Sequence, residues 1–572
     1  MKNILIILIL ILFVTRIELK TQNLPLEISE AISLIDSKEF SSALIQLQAI
    51  RVNYPNYLSL IDFLIIKCND ELGRFSEVER YSLQFISNYV ETKYLDDVNV
   101  FLIKSLKKQN KFEDSFKVGV NFLKRSKSLS KKIELKSFIE KTLLNNISPS
   151  IIEKLLENEN DKYVQPFLLY ILAKSYYNSG DLITAEKKLD EIINKHINSE
   201  EYLPAQNLKI TLDKHTSIEN QVLVGVMIPL TNGQNEKDIF IEEILEGIKF
   251  AFHEFNLDRD NKIGLIIEDT KNDSKEILRI IKEFDSEKRI KCVIGPVYSS
   301  ECDVVIKNIK LTDLSFVSPT ATDEQLTFNN EQFFQANPPF DLRGIALAQY
   351  VYFVESRSNF VVINSIEGYS AIMGNSFVEE FKRLGGNIIF KETFKNLQED
   401  ISSIMSKLSQ TLNKIDGIYL PVSKSNDAEL LISELEKLHI NVPIFGTQDW
   451  LEAKILKTTT KLNNLIRITS DYFIDYQDEK FIQFSNKYSE IVGREPNRYS
   501  LYGYDAAKHI INILRNPIQS RNAIKLKLSS TIKTVGYKNN ISFSSKRRNS
   551  YLNILGYSNG IFYLIDRFKV NE

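Results

Sequence analysis

The hydrophobic pattern of the chain changes once, near residues 216–221, from a helical period to strands that alternate with helices. From residue 26 to this point, apolar residues recur three and four positions apart, which predicts consecutive α-helices. Beyond it, "VLVGVMIPL" (222–230) predicts a buried strand and "EEILEGIKFAFHEFN" (242–256) an amphipathic helix. We therefore expect an all-helical region followed by an α/β region.

A helix-turn-helix unit repeats within the helical region. In "AISLIDSKEFSSALIQLQAIRVNYP", Ala31 and Ala43 stand where paired helices approach most closely. In "LAKSYYNSGDLITAEKKLDEIINKH", Ala173 and Ala185 have the same offsets, and Gly180 marks the turn. Each unit exposes an apolar flank that only a neighbouring unit can cover, so the units stack into an α-solenoid. The units begin near 24, 59, 96 and 166 and resemble the tetratricopeptide repeat family. Such a solenoid provides either a concave surface for a protein partner or a spacer for the domain that follows.

The second region alternates strands and helices in two successive blocks. In the first block, strands are predicted at 222–230, 262–270 and 314–319 and in "IKCVIG"; in the second, at 359–366 and 417–422 and in "NIIFKETF" and "VPIFGTQ". Strands separated by helices of this length form βαβ units and parallel sheets. Two such blocks predict two lobes, and residues 337–355 are expected to cross from one lobe to the other.

Composition and motifs limit the possible chemistry. The chain has 72 Lys+Arg against 74 Asp+Glu, a balance that gives no support to a nucleic-acid partner. The basic stretch "SSKRRNS" (544–550) is expected to be a solvated turn. Three cysteines and five scattered histidines have no metal-ligand spacing. The sequence has no nucleophile elbow, phosphate loop or zinc signature, so we expect neither catalysis nor a cofactor.

The first residues have the pattern of an export segment. Lys2 supplies a positive charge, and Ile4 to Val14 are eleven apolar residues without interruption. A run of this length is too short to span a bilayer, which takes about 20 residues, and matches the apolar part of a secretory signal. Residues 1–22 are therefore expected to be a signal peptide or an uncleaved anchor.

Hydroxyl side chains cluster where the predicted strands end. Ser299 and Ser300 follow the strand "IKCVIG" and precede a helix, and Thr320 and Thr322 follow the next strand. In open parallel sheets, ligands bind beyond the carboxyl ends of the strands. Free N–H groups at a helix start favour an anion such as a carboxylate. The alternative is that each hydroxyl only caps its helix, which is worth about 1 kcal/mol.

The order of several segments in 221–572 resembles the leucine/isoleucine/valine-binding protein family, which has the type I two-lobed periplasmic-binding fold. The resemblance lies in "VGVMIPLTNG", "LEGIKFAFHEFN", "GLIIEDTKND", "VIGPVYSSE", "FVSPTATDEQL", "YGYDAAKHI" and the ending "ISFSSKRRNSYLNILGYSNGIFYLI". It implies that an amino-acid or carboxylate ligand binds in a cleft between the lobes.

The resemblance also assigns candidate ligand-binding residues. The ligand carboxylate is expected at Ser299 and Ser300 and at the turn formed by Thr320, Ala321 and Thr322. Tyr369 is expected to close over the ligand. The family acid that pairs with the ammonium is often found at the position of Gln448, and Asp449 follows one residue later. Trp450, the only tryptophan, is interpreted as either a lid over the ligand or a half-buried rim residue.

These observations predict a domain organisation and two candidate functions. Residues 23–215 form helical repeats, and 221–572 the two-lobed domain. Lobe 1 is expected at about 221–340 with part of 470–535, and lobe 2 at about 341–470 with the C-terminal part. The first hypothesis is an exported solute receptor whose repeats contact a protein partner, such as a transporter permease. The second is a cell-envelope scaffold that resembles penicillin-binding protein activators and binds no small molecule.

Overall fold

The computed structural model describes residues 24–215, 222–231, 238–257, 262–459, 461–515 and 520–572. The expected export segment, residues 1–22, lies outside the described residues. None of the helices in the described ranges combines the length and the apolar character needed to cross a membrane. The chain divides into two compact units: the first ends at Lys188 and the second begins at Leu189.

The first unit consists of consecutive helices, each packed against the next, as in an α-solenoid. Its described helices are α1 (Leu26–Asp36), α2 (Phe40–Ile50), α3 (Leu58–Glu71), α4 (Phe75–Asn88), α5 (Leu95–Lys108), α6 (Phe112–Arg125), α7 (Leu129–Thr142), α8 (Pro149–Leu156) and α9 (Val164–Ser179). Ala31, Ala43 and Ala173 are fully buried, as the close approach of paired helices requires. Gly180 ends α9 in the left-handed conformation, at the predicted turn. The predicted α-solenoid is confirmed.

The last helix of the helical stretch belongs to the second unit. Helix α10 (Leu182–Lys195) runs across the division, and α11 (Tyr202–His215) follows it. Tyr202 lies in the same hydrophobic core as Val224 of the first strand, and Lys249 donates a hydrogen bond to the carbonyl of Ile197. The structural division therefore lies earlier in the chain than the change of sequence pattern.

Lobe 1 is a parallel sheet with helices on its faces. Its strands are β1 (Val222–Ile228), β2 (Ile263–Asp269), β3 (Ile290–Ile294), β4 (Ser315–Ser318) and β5 (Phe333–Gln335), in the order β2-β1-β3-β4-β5. Its helices are α12 (Ile239–Asn256), α13 (Ser274–Ser286) and α14 (Ser299–Lys307), followed much later in the chain by α19 (Glu479–Val492), α20 (Arg498–Leu514) and α21 (Arg521–Leu528). The late helices join this lobe because α19 and α20 pack on α12, and α21 packs on β3.

Lobe 2 is a mostly parallel sheet with an antiparallel edge. Its strands are β6 (Asn359–Ser365), β7 (Asn387–Phe394), β8 (Gly417–Tyr419), β9 (Ile444–Thr447), β10 (Ile466–Ser470), β11 (Tyr551–Ser558) and β12 (Ile561–Lys569), in the order β12-β11-β10-β9-β8-β6-β7. Only the pairings of β11, with β10 and with β12, are antiparallel among those described. Its helices are α15 (Phe340–Gln349), α16 (Gly368–Arg383), α17 (Leu397–Ser409) and α18 (Ser425–Leu435). The predicted two-lobed α/β fold is confirmed.

Helices α12 and α20 of lobe 1 touch through glycine. A Cβ atom on Gly247 would overlap the backbone carbonyl of Ser500, and one on Gly503 would overlap that of Ile244. Only glycine allows two helix backbones to approach this closely. The contact fixes α20, and with it the residues at its first turn, against the sheet of lobe 1.

The chain passes between the lobes in the segments 336–339, 471–478 and 529–550. The third segment contains the basic stretch predicted as a solvated turn, and that prediction is wrong for Arg548. Its side chain is 1% exposed and forms ion pairs with Asp341, at 2.5 Å, and with Glu572. A buried arginine needs such partners because an unpaired charge in the interior is costly.

Candidate functional site

The predicted hydroxyl residues of lobe 1 meet at the carboxyl ends of β3 and β4. Ser299 Oγ accepts hydrogen bonds from the backbone N–H groups of Thr322 and Asp323, both at 3.4 Å. Thr320 Oγ1 donates to the carbonyl of Val297 at 2.7 Å. The two turns are thus fastened to each other, and half-buried Ser299 and Thr322 lie side by side.

The other two candidates of this lobe differ in exposure. The side chain of Ala321 is buried in the hydrophobic core on one face of the sheet, and its carbonyl accepts a long hydrogen bond from Gln335. Ser300 is exposed at the start of α14. Neither side chain shares the Ser299–Thr322 contact.

In lobe 2, the structure brings Tyr369 and Asp449 together. The Tyr369 hydroxyl lies 2.9 Å from Asp449 Oδ1 and 2.9 Å from the carbonyl of Ser423. Thr447 donates to the other carboxylate oxygen of Asp449 at 3.3 Å. Burial raises the pKa of Asp449, while the hydrogen bonds from Tyr369 and Thr447 oppose that rise. Asp449 therefore points toward Tyr369 at the end of β9.

Trp450 is neither a lid nor a rim residue. Its side chain is fully buried in the core of lobe 2, against the backbone of Gly446. The sequence shows that a tryptophan follows the end of β9 but not that the short helical turn at Gln448–Glu452 directs it inward. Gln448, two residues before Trp450, accepts a hydrogen bond from Arg343 at 2.7 Å.

A continuous series of contacts joins the strand ends of the two lobes. Within lobe 1, the Phe240 ring lies 5.8 Å from that of Tyr298 and 5.5 Å from that of Tyr499. Arg498 lies over Tyr472, which follows β10, at 4.7 Å. In lobe 2, Phe340 stacks on Tyr369 at 4.5 Å. We call these residues the interlobe series: Tyr298, Phe240, Tyr499, Arg498, Tyr472, Asp471, Arg343, Phe340, Tyr369 and Asp449.

The centre of the interlobe series is a buried ion pair. Arg343 Nη1 lies 3.4 Å from Asp471 Oδ1, and the guanidinium lies 4.6 Å from the Phe340 ring centre. Asp471 also accepts a hydrogen bond from Tyr502. Burial by itself would raise the pKa of Asp471, but Arg343 and Lys538 outweigh it, so the pKa is lowered. Asp471 is therefore ionised at neutral pH.

Sequence reasoning identified only Tyr369 and Asp449 of this series and missed the other eight residues. No motif or spacing in the sequence marks these eight side chains. One signal was available: Tyr298 directly precedes Ser299, at the end of a predicted strand. The contact between Tyr298 and α12, by contrast, depends on which helix lies next to that strand end, and periodicity carries no such information.

The described cavities lie elsewhere. One, of about 60 Å³, lies in lobe 1 between α11 and β2 and is lined by residues that include Tyr202, His253 and Leu265. A shallower depression near Tyr504 and Arg515 lies at the far end of α20. Neither cavity is lined by a residue of the interlobe series. No cluster of potential metal ligands occurs among the residues that the structure describes.

Comparison with known proteins identifies related sequences and structures. The family model described as receptor family ligand binding region matches residues 243–554. No curated protein sequence matches the chain. A protein of Rhodospirillum rubrum described as a branched-chain amino acid ABC transporter is 18% identical, with a TM-score of 0.53, covering 60% of this chain and 100% of its own.

Two further solved structures are similar at lower scores. The branched-chain amino acid transporter substrate binding protein LivJ of Streptococcus pneumoniae, in complex with isoleucine, is 19% identical, with a TM-score of 0.41, covering 60% of this chain and 99% of its own. Full-length LpoA of Haemophilus influenzae is 13% identical, with a TM-score of 0.46, covering 94% of each chain.

Proposed function

This chain belongs to the family of receptor ligand-binding regions, and on that premise we propose that residues 222–572 bind a small amino-acid-like or carboxylate ligand in a cleft between the two lobes. The type I periplasmic-binding fold, shared with the Rhodospirillum rubrum protein, supports this proposal. The observation that carries it is the interlobe series, because it links polar groups at the strand ends of lobe 1 to those of lobe 2.

The residues of the series suit a ligand with both polar and apolar parts. Ligand sites combine apolar and aromatic walls with a few fixed polar groups. Here the aromatic rings of Phe240, Tyr298 and Tyr499 lie on lobe 1, and those of Phe340 and Tyr369 on lobe 2. Closure of the lobes about the three crossing segments would bring both sets onto one ligand.

We propose that the protein is exported and acts as a receptor rather than as an enzyme. The apolar run from Ile4 to Val14 supports export. In this role the ligand would be passed to a transporter or its presence reported to a partner, such as a permease, that contacts the helical repeats.

Ligand-dependent thermal stabilisation tests the receptor function. A bound ligand raises the melting temperature, and saturation at 100 times Kd adds about 2.7 kcal/mol to the free energy of unfolding. The full chain is screened with the common amino acids and small carboxylates, and each hit is repeated with Ser299→Ala and Thr322→Ala. We expect at least one ligand to stabilise the wild type and both variants to bind it more weakly. A screen without any stabilising ligand would remove the proposal.

A second candidate function concerns the helical repeats, which we propose bind a protein of the cell envelope. The supporting observation is that large apolar side chains on this unit stay exposed: Ile45 is 71% exposed and Val52 84%. A protein interface over these positions would bury them. The full chain and the Ile45→Asp and Val52→Asp variants are used to capture partners from envelope extracts. We expect a protein that the wild type retains and the variants lose; equal capture by all three would contradict this surface.

A further inference from the structure

We propose that Arg498 binds the charged group of the ligand, and that the ligand is a monocarboxylate with an apolar or aromatic body. The inference rests on the proposed receptor function, because it names the ligand class and an anchoring residue of the same site.

The position of Arg498 places a cation within the interlobe series. Arg498 is the first residue of α20, whose N-cap is Asn497. Its guanidinium carbon lies 4.7 Å from the ring centre of Tyr472 and 5.1 Å from that of Tyr499. A guanidinium that stacks on aromatic rings keeps the N–H groups on its edge free to bind a carboxylate in a bidentate manner. The rings come from two different segments, so they hold the cation in place.

Arg498 forms no direct ion pair among the described residues, unlike Arg343 and Arg494. No carboxylate of the described residues lies within 4.0 Å of it, and its buried Nε has no hydrogen-bond partner there. By contrast, Arg343 pairs with Asp471, and Arg494, four residues before α20 begins, pairs with Glu243 and Glu246. Asp471 attracts Arg498 at longer range but is already paired with Arg343, so a ligand anion would supply the direct partner that Arg498 lacks.

The nearby hydroxyl turn is already engaged. The backbone N–H groups of Thr322 and Asp323 donate to Ser299 Oγ. A ligand carboxylate at those amides would have to displace the serine hydroxyl, whereas a carboxylate at Arg498 displaces no protein group. The structure therefore favours the guanidinium as the primary anion site and leaves Ser299 to orient the ligand.

The surroundings define the rest of the ligand. The Phe240, Tyr298 and Tyr499 rings provide an adjoining apolar surface, on which an aliphatic or aromatic body can pack. The acidic residues Asp471 and Asp449 disfavour a second negative charge on the ligand. The combination selects a single carboxylate over a dicarboxylate or a neutral molecule.

Calorimetric titration of the full chain tests the inference with matched acids and amides. The probes are 4-methylpentanoate and phenylacetate, their uncharged amides, and L-leucine. We expect the wild type to bind a carboxylate at least about 10-fold more tightly than its amide. Arg498→Gln should raise the Kd of that carboxylate about 10- to 100-fold, as expected for loss of a charge-assisted hydrogen bond. Arg498→Lys should lie in between. Arg515→Gln, at the exposed far end of the same helix, should bind like the wild type.

The outcomes separate this inference from the proposed function. If neither the carboxylates nor any amino acid binds the wild type, both fail. If a ligand binds but the amides match the acids, Arg498→Gln binds as the wild type does, or only L-leucine binds, the inference fails and the receptor function stands. The comparison of acid and amide uses the wild type alone, so it tests the ligand class even if Arg498→Gln does not fold, and Arg498→Lys then tests the role of the side chain.

Discussion

Arg343 and Asp471 form a buried ion pair, in which Nη1 and Oδ1 are 3.4 Å apart and the side chains are 4% and 1% exposed. Arg343 lies on α15, directly after the first crossing between the lobes, and Asp471 opens the second crossing. Arg343 also donates to the carbonyl of Pro338 within the first crossing. The pair therefore fastens two of the crossing segments to each other.

Asp471→Asn should destabilise the two-lobed domain by about 3 kcal/mol, because it leaves Arg343 buried without its acid and removes one of the two acids that attract buried Lys538. Urea unfolding measures the loss. The lowered pKa of Asp471 adds a pH dependence: its contribution is complete above the unfolded pKa of about 3.9 and is lost as the pH falls below it. Arg383→Gln, which removes an ion pair from an exposed arginine, should cost much less. Equal losses in the two variants would contradict the role of the buried pair.

Asp449→Asn should distinguish ligands with an ammonium group from those without one. The carboxylate of Asp449, held by Tyr369 and Thr447, is the candidate partner for an amino-acid ammonium. We expect the variant to raise the Kd of L-leucine about 10-fold and to leave that of 4-methylpentanoate unchanged, in calorimetric titration. Tyr369→Phe keeps the carboxylate and serves as the comparison. If Asp449→Asn raised the Kd of both ligands equally, Asp449 would stabilise the structure of lobe 2 rather than bind the ammonium group.

Glu301→Gln should stabilise the protein at pH 8 and have little effect at pH 4.5. The side chain is 2% exposed, accepts a hydrogen bond from Thr270, and burial raises its pKa to about 7. The folded state thus holds a proton that the unfolded chain loses near pH 4.5. The contribution of Glu301 to stability is complete below that pH and is lost as the pH rises to 7, by about 3 kcal/mol. Thermal unfolding between pH 4.5 and 8 measures the difference from the wild type. The exposed Glu367, changed to Gln, should show no such trend.

Gly503→Ala should destabilise lobe 1 by about 3 kcal/mol, because the added methyl group forces α20 away from the backbone of α12. Urea unfolding of the full chain is the measurement. Lys508→Ala, a side-chain truncation on the same helix, provides the control and should change the free energy of unfolding by less than about 1 kcal/mol. If the two variants were equally stable, the helices would not be in the close contact described.

Arg548→Ala should cost about 3 to 5 kcal/mol in urea unfolding, because it leaves Asp341 without its cation and buried Glu572 with only Lys546 as a partner. Lys546 pairs with the same Glu572, at 3.5 Å, but is half exposed. Lys546→Ala should therefore cost less than about 1 kcal/mol. If Arg548→Ala and Lys546→Ala lost similar amounts of stability, the buried pair of Glu572 with Arg548 would matter no more than its exposed pair with Lys546.

The strands and helices of both lobes were predictable because their burial follows sequence pattern. Apolar runs such as 222–230 and 359–366 coincide with β1 and β6, and the helix predicted at 242–256 lies within α12, at Ile239–Asn256. Short elements were not predictable: β5, at Phe333–Gln335, has three residues and no period to detect.

The site was predictable only in part, since sequence position does not fix side-chain direction. Ser299 and Thr322 could be paired because parallel strands end at one edge of a sheet. Trp450 was misplaced because a one-turn helix directs it into the core, and Arg498 was overlooked because its aromatic neighbours include Tyr472, 26 residues earlier in the chain.

The assignment of α11 to the second unit has a practical consequence for dissection of the protein. A fragment that starts at the change of sequence pattern, near residue 221, lacks Ile197 and Tyr202 and so exposes the apolar surface of α12 and β2 that they cover. Such a fragment should precipitate during expression, whereas one that starts just after Lys188 retains its native covering. Recombinant halves for biochemistry should therefore be separated near Lys188, and not near residue 221, where the amino-acid pattern changes.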